Sequence, residues 1–332
     1  MLLKVPFSPL KNPSIFITKR TFPETLAAAW PNAAVDYHDS DTGLPEDSFI
    51  ARACGKNILI TQVTDKLSRP VLDAISNKDA PQLIAQLAVG YDNIDLAAAT
   101  DLGILVTNTP GVVTESTADL AFGLLLAAAR RIAEGHQYIH AGQWHRWTMG
   151  LMIGRDVHNR TLGILGMGQI GQAMARRAAG FGMRVIYHNR KPVDGSNAEW
   201  VSKDDLLRES DFLSIHVPLS AATRHIIGEA ELRAMKPDAI LINTSRGPVV
   251  DEPALARALG EKWIAGAGLD VFEDEPRVHS GILACPSAVV TPHIGGASRE
   301  TREKMVQMVR ANVNAFIEGR RPPNLLNPDL WR

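Results

Sequence analysis

Short runs of apolar residues alternate with helix-like segments along almost the whole chain. Early in the sequence, four runs have the length and aliphatic composition of strands: Ile15–Thr18, Ile58–Gln62, Leu83–Val89 and Ile104–Thr107. Such continuous runs are typical of strands covered on both faces, as in a parallel sheet. The first part of the chain is therefore predicted to be a parallel α/β domain.

A second series of runs follows the turn-forming sequence Asn-Thr-Pro-Gly at 108–111. Its strands are predicted at Leu162–Leu165, Arg184–Tyr187, Phe212–His216, Ile240–Asn243, Ala265–Leu269 and Val289–Thr291. The intervals between these strands fit βα units. We therefore predict an α/β protein with two doubly wound parallel-sheet domains, the second starting near residue 108.

Two helices have clear patterns. One is predicted from Glu115 to Ile132 with Thr114 as its N-cap, and its almost wholly apolar surface predicts that it is buried. The other is predicted from Arg302 to Glu318, where Gly319 follows. Because this last helix lies beyond the second strand series, it can return to the first domain.

The composition is that of a globular protein, with 45% hydrophobic and 21% charged residues in 332. The 35 Lys and Arg against 36 Asp and Glu give no electrostatic reason to expect a nucleic-acid or anionic-membrane partner. Cys54 and Cys285 form no CxxC motif, so neither a disulfide framework nor a metal site is expected. The longest apolar stretch, 120–129, is about half a membrane span. We expect a soluble, cytoplasmic protein.

A glycine-rich loop follows the strand Leu162–Leu165 and opens a helix. Its glycines, Gly166, Gly168 and Gly171, form the GxGxxG pattern of dinucleotide-binding folds. In that pattern the first glycine makes the tight turn, the second admits the pyrophosphate, and the third lets helix and strand pack closely. Since a strand precedes and a helix follows, the pattern predicts a dinucleotide site and not merely a flexible turn.

The end of the next strand indicates which dinucleotide is bound. NAD sites usually carry an acid there, which accepts hydrogen bonds from the ribose hydroxyls. This sequence has Asn189, Arg190 and Lys191 instead, and no acid before Asp194. Cations at this point can pair with a 2′-phosphate, so NADPH/NADP is favoured over NAD. The alternative is an ordinary solvated basic turn.

Polar residues follow three neighbouring strands of the second domain, at the edge where ligands bind in such sheets. They are Thr244 and Arg246, Asp270 and Glu275, and His293. Hydride transfer to a ketone needs a proton donor for the forming alkoxide, and a histidine can fill this role. An acid can orient that histidine, and an arginine can bind a carboxylate of the substrate. Each charged residue taken singly could be a solvated surface group. Because all of them follow strands that end at the same edge of the sheet, we favour the catalytic interpretation. His216 is the main alternative histidine, and we assign it to packing or cofactor contact.

Several motifs together resemble the D-isomer-specific 2-hydroxyacid dehydrogenase family. They are Ala88–Asp95, the glycine loop from Gly163, Asn243–Asp251, Gly268–Pro276 and Thr291–Gly296. The resemblance covers almost the whole chain. It implies a Rossmann nucleotide-binding domain, residues 108–299, inserted in a flavodoxin-like substrate domain, residues 1–107 and 300–332.

The resemblance also implies roles for single residues. Arg246 would bind the substrate carboxylate together with the backbone at Val89 and Gly90, Glu275 would partner the histidine, and His293 would donate the proton. The cofactor contacts implied by the family and the glycine motif are Gly166, Gly168, Gln169, Ile170, Asn189, Arg190, Lys191, Val217, Pro218, Thr223, Thr244, Asp270 and Gly295.

Within the family, the sequence is most similar to glyoxylate/hydroxypyruvate reductases and 2-ketogluconate reductases. This similarity implies NADPH-dependent reduction of small 2-oxo acids by a homodimer. Trp147 would then be a wall of the neighbouring subunit's site, or it would simply pack in the dimer interface. Two alternatives remain open: an NAD-dependent relative acting on D-lactate or 3-phosphoglycerate, and a dinucleotide-sensing binding protein of the same fold.

Overall fold

The computed structural model describes residues 8–76 and 81–331, and the chain forms two compact units. The first unit comprises the chain up to Val113 and again from Ser298, and the second comprises Thr114–Ala297. The second unit is thus an insertion in the sequence of the first. None of the helices within the described ranges is long and apolar enough to cross a membrane.

The first unit is built on a five-stranded parallel sheet with the order β2-β1-β3-β4-β5. This is the flavodoxin-like order. Its strands are β1 (Ser14–Ile17), β2 (Ala34–Tyr37), β3 (Ile58–Thr61), β4 (Leu83–Gln86) and β5 (Leu105–Thr107). Its helices are α1 (Glu46–Ala53), α2 (Arg69–Ser76), α3 (Leu96–Asp101) and the C-terminal α11 (Arg299–Ile317). The apolar stripe of α11, including Met305, Val309 and Phe316, packs on one face of the sheet.

The second unit is built on a seven-stranded parallel sheet with the order β12-β11-β10-β9-β6-β7-β8. Counted from β6, this is the Rossmann order with one further strand. The strands are β6 (Thr161–Leu165), β7 (Arg184–His188), β8 (Glu199–Trp200), β9 (Phe212–Ile215), β10 (Ile240–Asn243), β11 (Gly266–Leu269) and β12 (Ala288–Val290). The strand order reverses between β6 and β9.

Helices cover both faces of this sheet. The helices of the second unit are α4 (Thr114–Ala129), α5 (Ile132–His140), α6 (Gln169–Ala179), α7 (Lys203–Glu209), α8 (Glu229–Ala234), α9 (Glu252–Gly260) and α10 (Ser280–Leu283). Side chains of α4 and α6 pack on one face of the sheet, and those of α7, α8 and α9 pack on the other. Because β6, β9, β10 and β11 are buried on both faces, the carboxyl ends of the strands are the edge left for polar chemistry.

The predicted fold class, two parallel α/β domains, is confirmed, whereas some boundaries differ. The helix predicted from Glu115 to Ile132 begins one residue earlier, so Thr114 is its first residue and not its N-cap. It ends at Ala129, because Arg131 has a left-handed backbone with φ of 54°. The last helix begins at Arg299, and the Ser298 side chain caps it. Strands β2 and β8 were not predicted.

Candidate active site

His293 and Glu275 form a hydrogen-bonded pair at the carboxyl edge of the seven-stranded sheet. Nδ1 of His293 lies 2.8 Å from Oε2 of Glu275. The other carboxylate oxygen accepts the backbone N–H of Phe272 at 3.0 Å. Nε2 of the imidazole makes no hydrogen bond with a residue in the described part of the chain. A ring held through Nδ1 presents Nε2 to an approaching ligand, which is the arrangement of a proton donor with its orienting acid.

The electrostatics of Glu275 keep this acid ionised. Burial raises its pKa, but the hydrogen bond and charge of His293, the Phe272 N–H and the charge of Arg246 lower it more. The net effect is a pKa below the ordinary value of 4.5. Glu275 therefore accepts the Nδ1–H bond at neutral pH, and Arg246 lies within electrostatic reach of it.

Asp270 holds the loop that carries His293. Its carboxylate is 1% exposed and accepts the Thr291 hydroxyl at 2.6 Å and the N–H groups of Ile294 and Gly295 at 2.8 Å each. Its carbonyl oxygen accepts the His293 N–H at 2.9 Å. His293 has φ of 55°, a left-handed conformation that costs a non-glycine residue roughly 1–3 kcal/mol. The bonds to Asp270 hold the histidine in it.

Arg246 follows β10 at the same edge, and the backbone after it passes very close to the segment that precedes Glu275. A Cβ on Gly247 would lie 1.9 Å from the carbonyl carbon and oxygen of Phe272. Only glycine permits this approach. The sequence gives no indication of this role for Gly247, because the contact with Phe272 depends on how two distant loops pack.

The glycine loop after β6 has the shape of a pyrophosphate cradle. Gly166 has φ of 100°, and a Cβ there would lie 2.7 Å from the carbonyl carbon of His216. On Gly171 a Cβ would lie 2.3 Å from the Gly166 oxygen, which explains how α6 packs so close to β6. On Gly168, by contrast, it would meet nothing within 4 Å. The loop is therefore closely packed at Gly166 and Gly171. It is open at Gly168, directly before Gln169 and Ile170 begin α6, so a pyrophosphate has room there.

Two buried polar atoms at the carboxyl ends of β9 and β10 have no partner within the described residues. They are the hydroxyl oxygen of Thr244, after β10, and Nδ1 of His216, after β9. Burial lowers the pKa of His216 to about 4, so the ring is neutral, and its Nε2 pairs with the Ser214 hydroxyl at 2.8 Å. Buried polar atoms are almost always hydrogen-bonded, so these two fit a ligand that supplies the partner. The residues present thus fit a dinucleotide.

The end of β7 is joined to the glycine loop by Asn189, whose side-chain oxygen accepts the Met167 N–H at 2.7 Å. Arg190 and Lys191 are exposed and form no ion pair with any residue the structure describes. Beyond β9, the Thr223 hydroxyl donates to the carbonyl oxygen of Pro218 at 2.6 Å and so closes the loop that begins at Val217.

In the first unit, the peptide groups at Val89 and Gly90 are oriented by bonds to their carbonyl oxygens. The Ala88 oxygen accepts the Thr109 N–H at 2.9 Å, and the Val89 oxygen accepts the Asn108 side-chain amide at 2.8 Å. In a planar trans peptide the N–H points away from the carbonyl, so the N–H groups of Val89 and Gly90 point away from these anchors. Neither N–H has an acceptor among the described residues.

A surface strip of large apolar side chains lies outside these sites. It covers α5 and the segment after it, where the exposed residues include Ile132, Ile139, Trp144, Trp147, Met149 and Ile153. Trp147 is 71% exposed and Met149 is 85% exposed. Apolar exposure on this scale over one contiguous segment is typical of a surface that another protein covers.

Residues 122–295, more than half of the chain, match the family model of the D-isomer specific 2-hydroxyacid dehydrogenase, NAD binding domain. The chain belongs to the D-isomer specific 2-hydroxyacid dehydrogenase family. As a dehydrogenase of this family it is an oxidoreductase, and the matched domain is the one that binds a nicotinamide dinucleotide.

Relatives of this 2-hydroxyacid dehydrogenase match it over nearly its full length. The glyoxylate reductase of Thermococcus litoralis is 47% identical over 96% of this chain and 98% of its own. That of Aeropyrum pernix is 44% identical over 97% and 98%. Among solved structures, the NADPH-dependent glyoxylate/hydroxypyruvate reductase of Sinorhizobium meliloti, in complex with NADP and malonate, is 32% identical with a TM-score of 0.87, covering 97% of this chain and 98% of its own.

Proposed function

We propose that this dehydrogenase reduces small 2-oxo acids to D-2-hydroxy acids with NADPH, with glyoxylate and hydroxypyruvate as substrates and 2-ketogluconate as a further candidate. The observation that carries the proposal is the His293–Glu275 pair, because it leaves Nε2 available as a proton donor at the same edge of the parallel sheet as the glycine loop. The glyoxylate reductases among the relatives support the substrate class.

NADPH, when bound, supplies the hydride. The chain's own residues supply the proton and the orientation: Nε2 of protonated His293 protonates the carbonyl oxygen as negative charge develops there, and Glu275 stabilises the imidazolium through Nδ1. Arg246 pairs with the substrate carboxylate and polarises the adjacent carbonyl. Asp270 keeps the histidine loop in place while the proton moves.

The first unit would recognise the substrate carboxylate through the outward N–H groups of Val89 and Gly90. Two adjacent N–H groups without protein acceptors form an anion site, and a carboxylate can satisfy both. In this proposal the first unit is the substrate-binding domain and the second the dinucleotide-binding domain.

The preference for NADPH over NADH is proposed from the positive charges that follow β7. Arg190 and Lys191, at the end of β7 where a 2′-phosphate would lie, are cations that form no ion pair with the residues the structure describes. The side-chain nitrogen of Asn189 adds a donor at the same place. The solved structure with bound NADP supports this assignment.

A second copy of this chain is the proposed partner of the exposed apolar strip from Ile132 to Ile153. An isologous two-fold interface uses the same surface patch on both subunits, and two copies of this strip can pack on each other in that way. Trp147 would reach the neighbouring subunit, as a wall of its site or as interface packing. The proposed compartment is the cytoplasm, since both cysteines are free.

The experiment that tests the function is a steady-state panel of glyoxylate, hydroxypyruvate, 2-ketogluconate, pyruvate and 3-phosphohydroxypyruvate with NADPH and with NADH. The proposal predicts turnover of the first two, with a higher kcat/KM for NADPH. Turnover only with NADH and pyruvate or the phosphorylated acid would favour the NAD-dependent alternative. Binding of the dinucleotide without turnover of any acid would favour a sensing protein.

A further inference from the structure

The loop that carries Glu275 is closed at its base by a single buried carboxylate. Glu252, the first residue of α9, is 7% exposed. One of its oxygens accepts the backbone N–H of Glu273 at 2.6 Å, and the other accepts the backbone N–H of His279 at 2.7 Å. These two residues are the ends of the seven-residue loop 273–279, and Glu275 lies within it.

Burying a carboxylate without a cation is expensive, and Glu252 has no ion pair with a Lys or Arg in the described ranges. The helix N-terminus of α9 offsets part of this cost, because its unpaired N–H groups favour a negative charge. An apolar residue could fill the same space without the cost. What only a carboxylate provides is two acceptor oxygens, one for each end of the loop.

The other charged side chains around the loop do not hold its two ends together as Glu252 does. The Glu273 side chain pairs with Arg224 and His225 and so restrains one end of the loop from outside. Within the loop, Asp274 pairs with Arg277. Asp251, Arg257 and His279 line one hollow with Glu273. On the catalytic side are the Glu275–His293 pair and Arg246, whose charge reaches Glu275.

We propose that Glu252 is a positioning residue for the Glu275–His293 pair. By fixing both ends of loop 273–279 it holds the Glu275 carboxylate at hydrogen-bond distance from Nδ1 of His293. Loss of either N–H bond would let Glu275 move, and a displacement of about 1 Å at a catalytic pair can cost about a hundredfold in rate. This inference rests on the proposed function, in which His293 is the proton donor.

One variant pair breaks the clamp at His279. His279 has φ of −59° and ψ of 129°, which proline adopts, so His279→Pro suits the backbone of this residue. It removes the N–H that Glu252 accepts and puts the ring carbon Cδ against the carboxylate oxygen. His279→Ala is the matched control, because it removes the ring and keeps the N–H. We expect kcat to fall about tenfold or more in His279→Pro and to stay within about twofold of wild type in His279→Ala.

A second pair tests the carboxylate itself. Glu252→Gln leaves one acceptor oxygen for two N–H groups, whereas Glu261→Gln removes an exposed acid just beyond the other end of α9. We expect a tenfold or larger loss of kcat in Glu252→Gln and no such loss in Glu261→Gln. The Kd of NADPH, measured by fluorescence, should stay within about twofold of wild type in all four variants.

A readout that needs no turnover is the low-field proton NMR signal of the His293–Glu275 hydrogen bond. We expect it in wild type, His279→Ala and Glu261→Gln, and we expect its loss in Glu252→Gln and His279→Pro. Folded Glu252→Gln and His279→Pro proteins that keep both the signal and kcat would overturn the proposal. So would a loss of rate that follows the unfolded fraction alone while the signal stays.

If Glu252→Gln does not fold, the His279→Pro and His279→Ala pair decides by the same criteria. A wild-type protein that shows the signal and loses it in His279→Pro, but reduces no 2-oxo acid, would overturn the proposed function and leave the positioning role standing.

Discussion

Nδ1 of His293 lies 2.8 Å from a carboxylate oxygen of Glu275, although the two residues are 18 positions apart and follow different strands. The contact leaves Nε2 as the ring nitrogen that can meet a ligand. Three separate interactions hold the pair. Asp270 accepts hydrogen bonds from the loop that carries His293, and Glu252 accepts hydrogen bonds from both ends of the loop that carries Glu275. The third is the close contact of the Gly247 backbone with Phe272. Proton donation, loop packing and cofactor recognition depend on different residues and can be tested by separate substitutions.

Replacement of His293 by alanine should lower kcat at least about a hundredfold, because the general acid is lost. The Kd of NADPH should not change, since the cradle around Gly166 and Gly168 is untouched. Steady-state kinetics and fluorescence titration measure the two quantities, and His158→Ala, at an exposed histidine, is the control. A His293→Ala enzyme with near-wild-type kcat would rule out the proposed donor.

Gly247→Ala should destabilise the protein and inactivate it together. The new Cβ would lie 1.9 Å from backbone atoms of Phe272, so the segment before Glu275 must shift. Overpacking of this kind costs roughly 1–3 kcal/mol or more. Gly123→Ala, in α4 with nothing within 4 Å of the new Cβ, should instead be neutral or stabilise by up to about 1 kcal/mol. Urea unfolding of both variants checks this, and equal stability of the two would contradict it.

Arg190→Ala and Lys191→Ala should each raise the Kd of NADPH about tenfold or more and leave the Kd of NADH unchanged. A charge-assisted bond to a phosphate contributes roughly 1.5–3 kcal/mol, and NADH has no 2′-phosphate. Arg160→Ala is the control, because Arg160 precedes β6 at the opposite edge of the sheet. Equal effects on both dinucleotides would show that these cations do not read the phosphate.

The stability of the protein should depend on pH through Glu275. Its pKa is lower in the folded state than the ordinary 4.5, so the unfolded state binds the proton more readily. The stabilisation is therefore present above about pH 4.5 and is lost as the pH falls through the lower, folded-state pKa. Glu275→Gln should reduce the pH dependence of the free energy of unfolding in that acid range. An unchanged slope in urea titrations below pH 4.5 would contradict the assignment.

Met149→Asp should convert the proposed dimer into a monomer, because it puts a charge in the apolar strip at its most exposed side chain. Leu283→Asp is the control, since Leu283 is 61% exposed on α10, outside the strip. Light scattering after size-exclusion chromatography gives the mass of each. A dimeric Met149→Asp protein, or a monomeric wild type, would refute the assigned interface.

Much of the fold could be predicted because apolar runs mark the buried strands. In the seven-stranded sheet, β10 was predicted to the residue and β6, β7, β9, β11 and β12 to within one residue at each end, whereas β4 of the other sheet ends three residues before the predicted Val89. Strand β2 was missed because it is only partly buried and includes Asp36, and β8 because its two residues, Glu199 and Trp200, are both exposed. Neither has an apolar run, so the pattern gives no signal for them.

The site was predictable to the extent that it depends on strand ends. Parallel strands bring their carboxyl ends to one edge, so Glu275 and His293 could be expected to meet. The contact between Gly247 and Phe272, and the two bonds of Glu252, depend instead on the path of loops between strands. No sequence spacing encodes that path, so these residues became visible only in the structure.

The central claim, hydride transfer to a 2-oxo acid with D-specific product formation, is tested most directly by reducing hydroxypyruvate with NADPH deuterated at the transferable position of its nicotinamide ring. The account predicts D-glycerate with deuterium at carbon 2, formed as the NADPH is oxidised. L-Glycerate, a product without deuterium at carbon 2, or no oxidation of NADPH would contradict it.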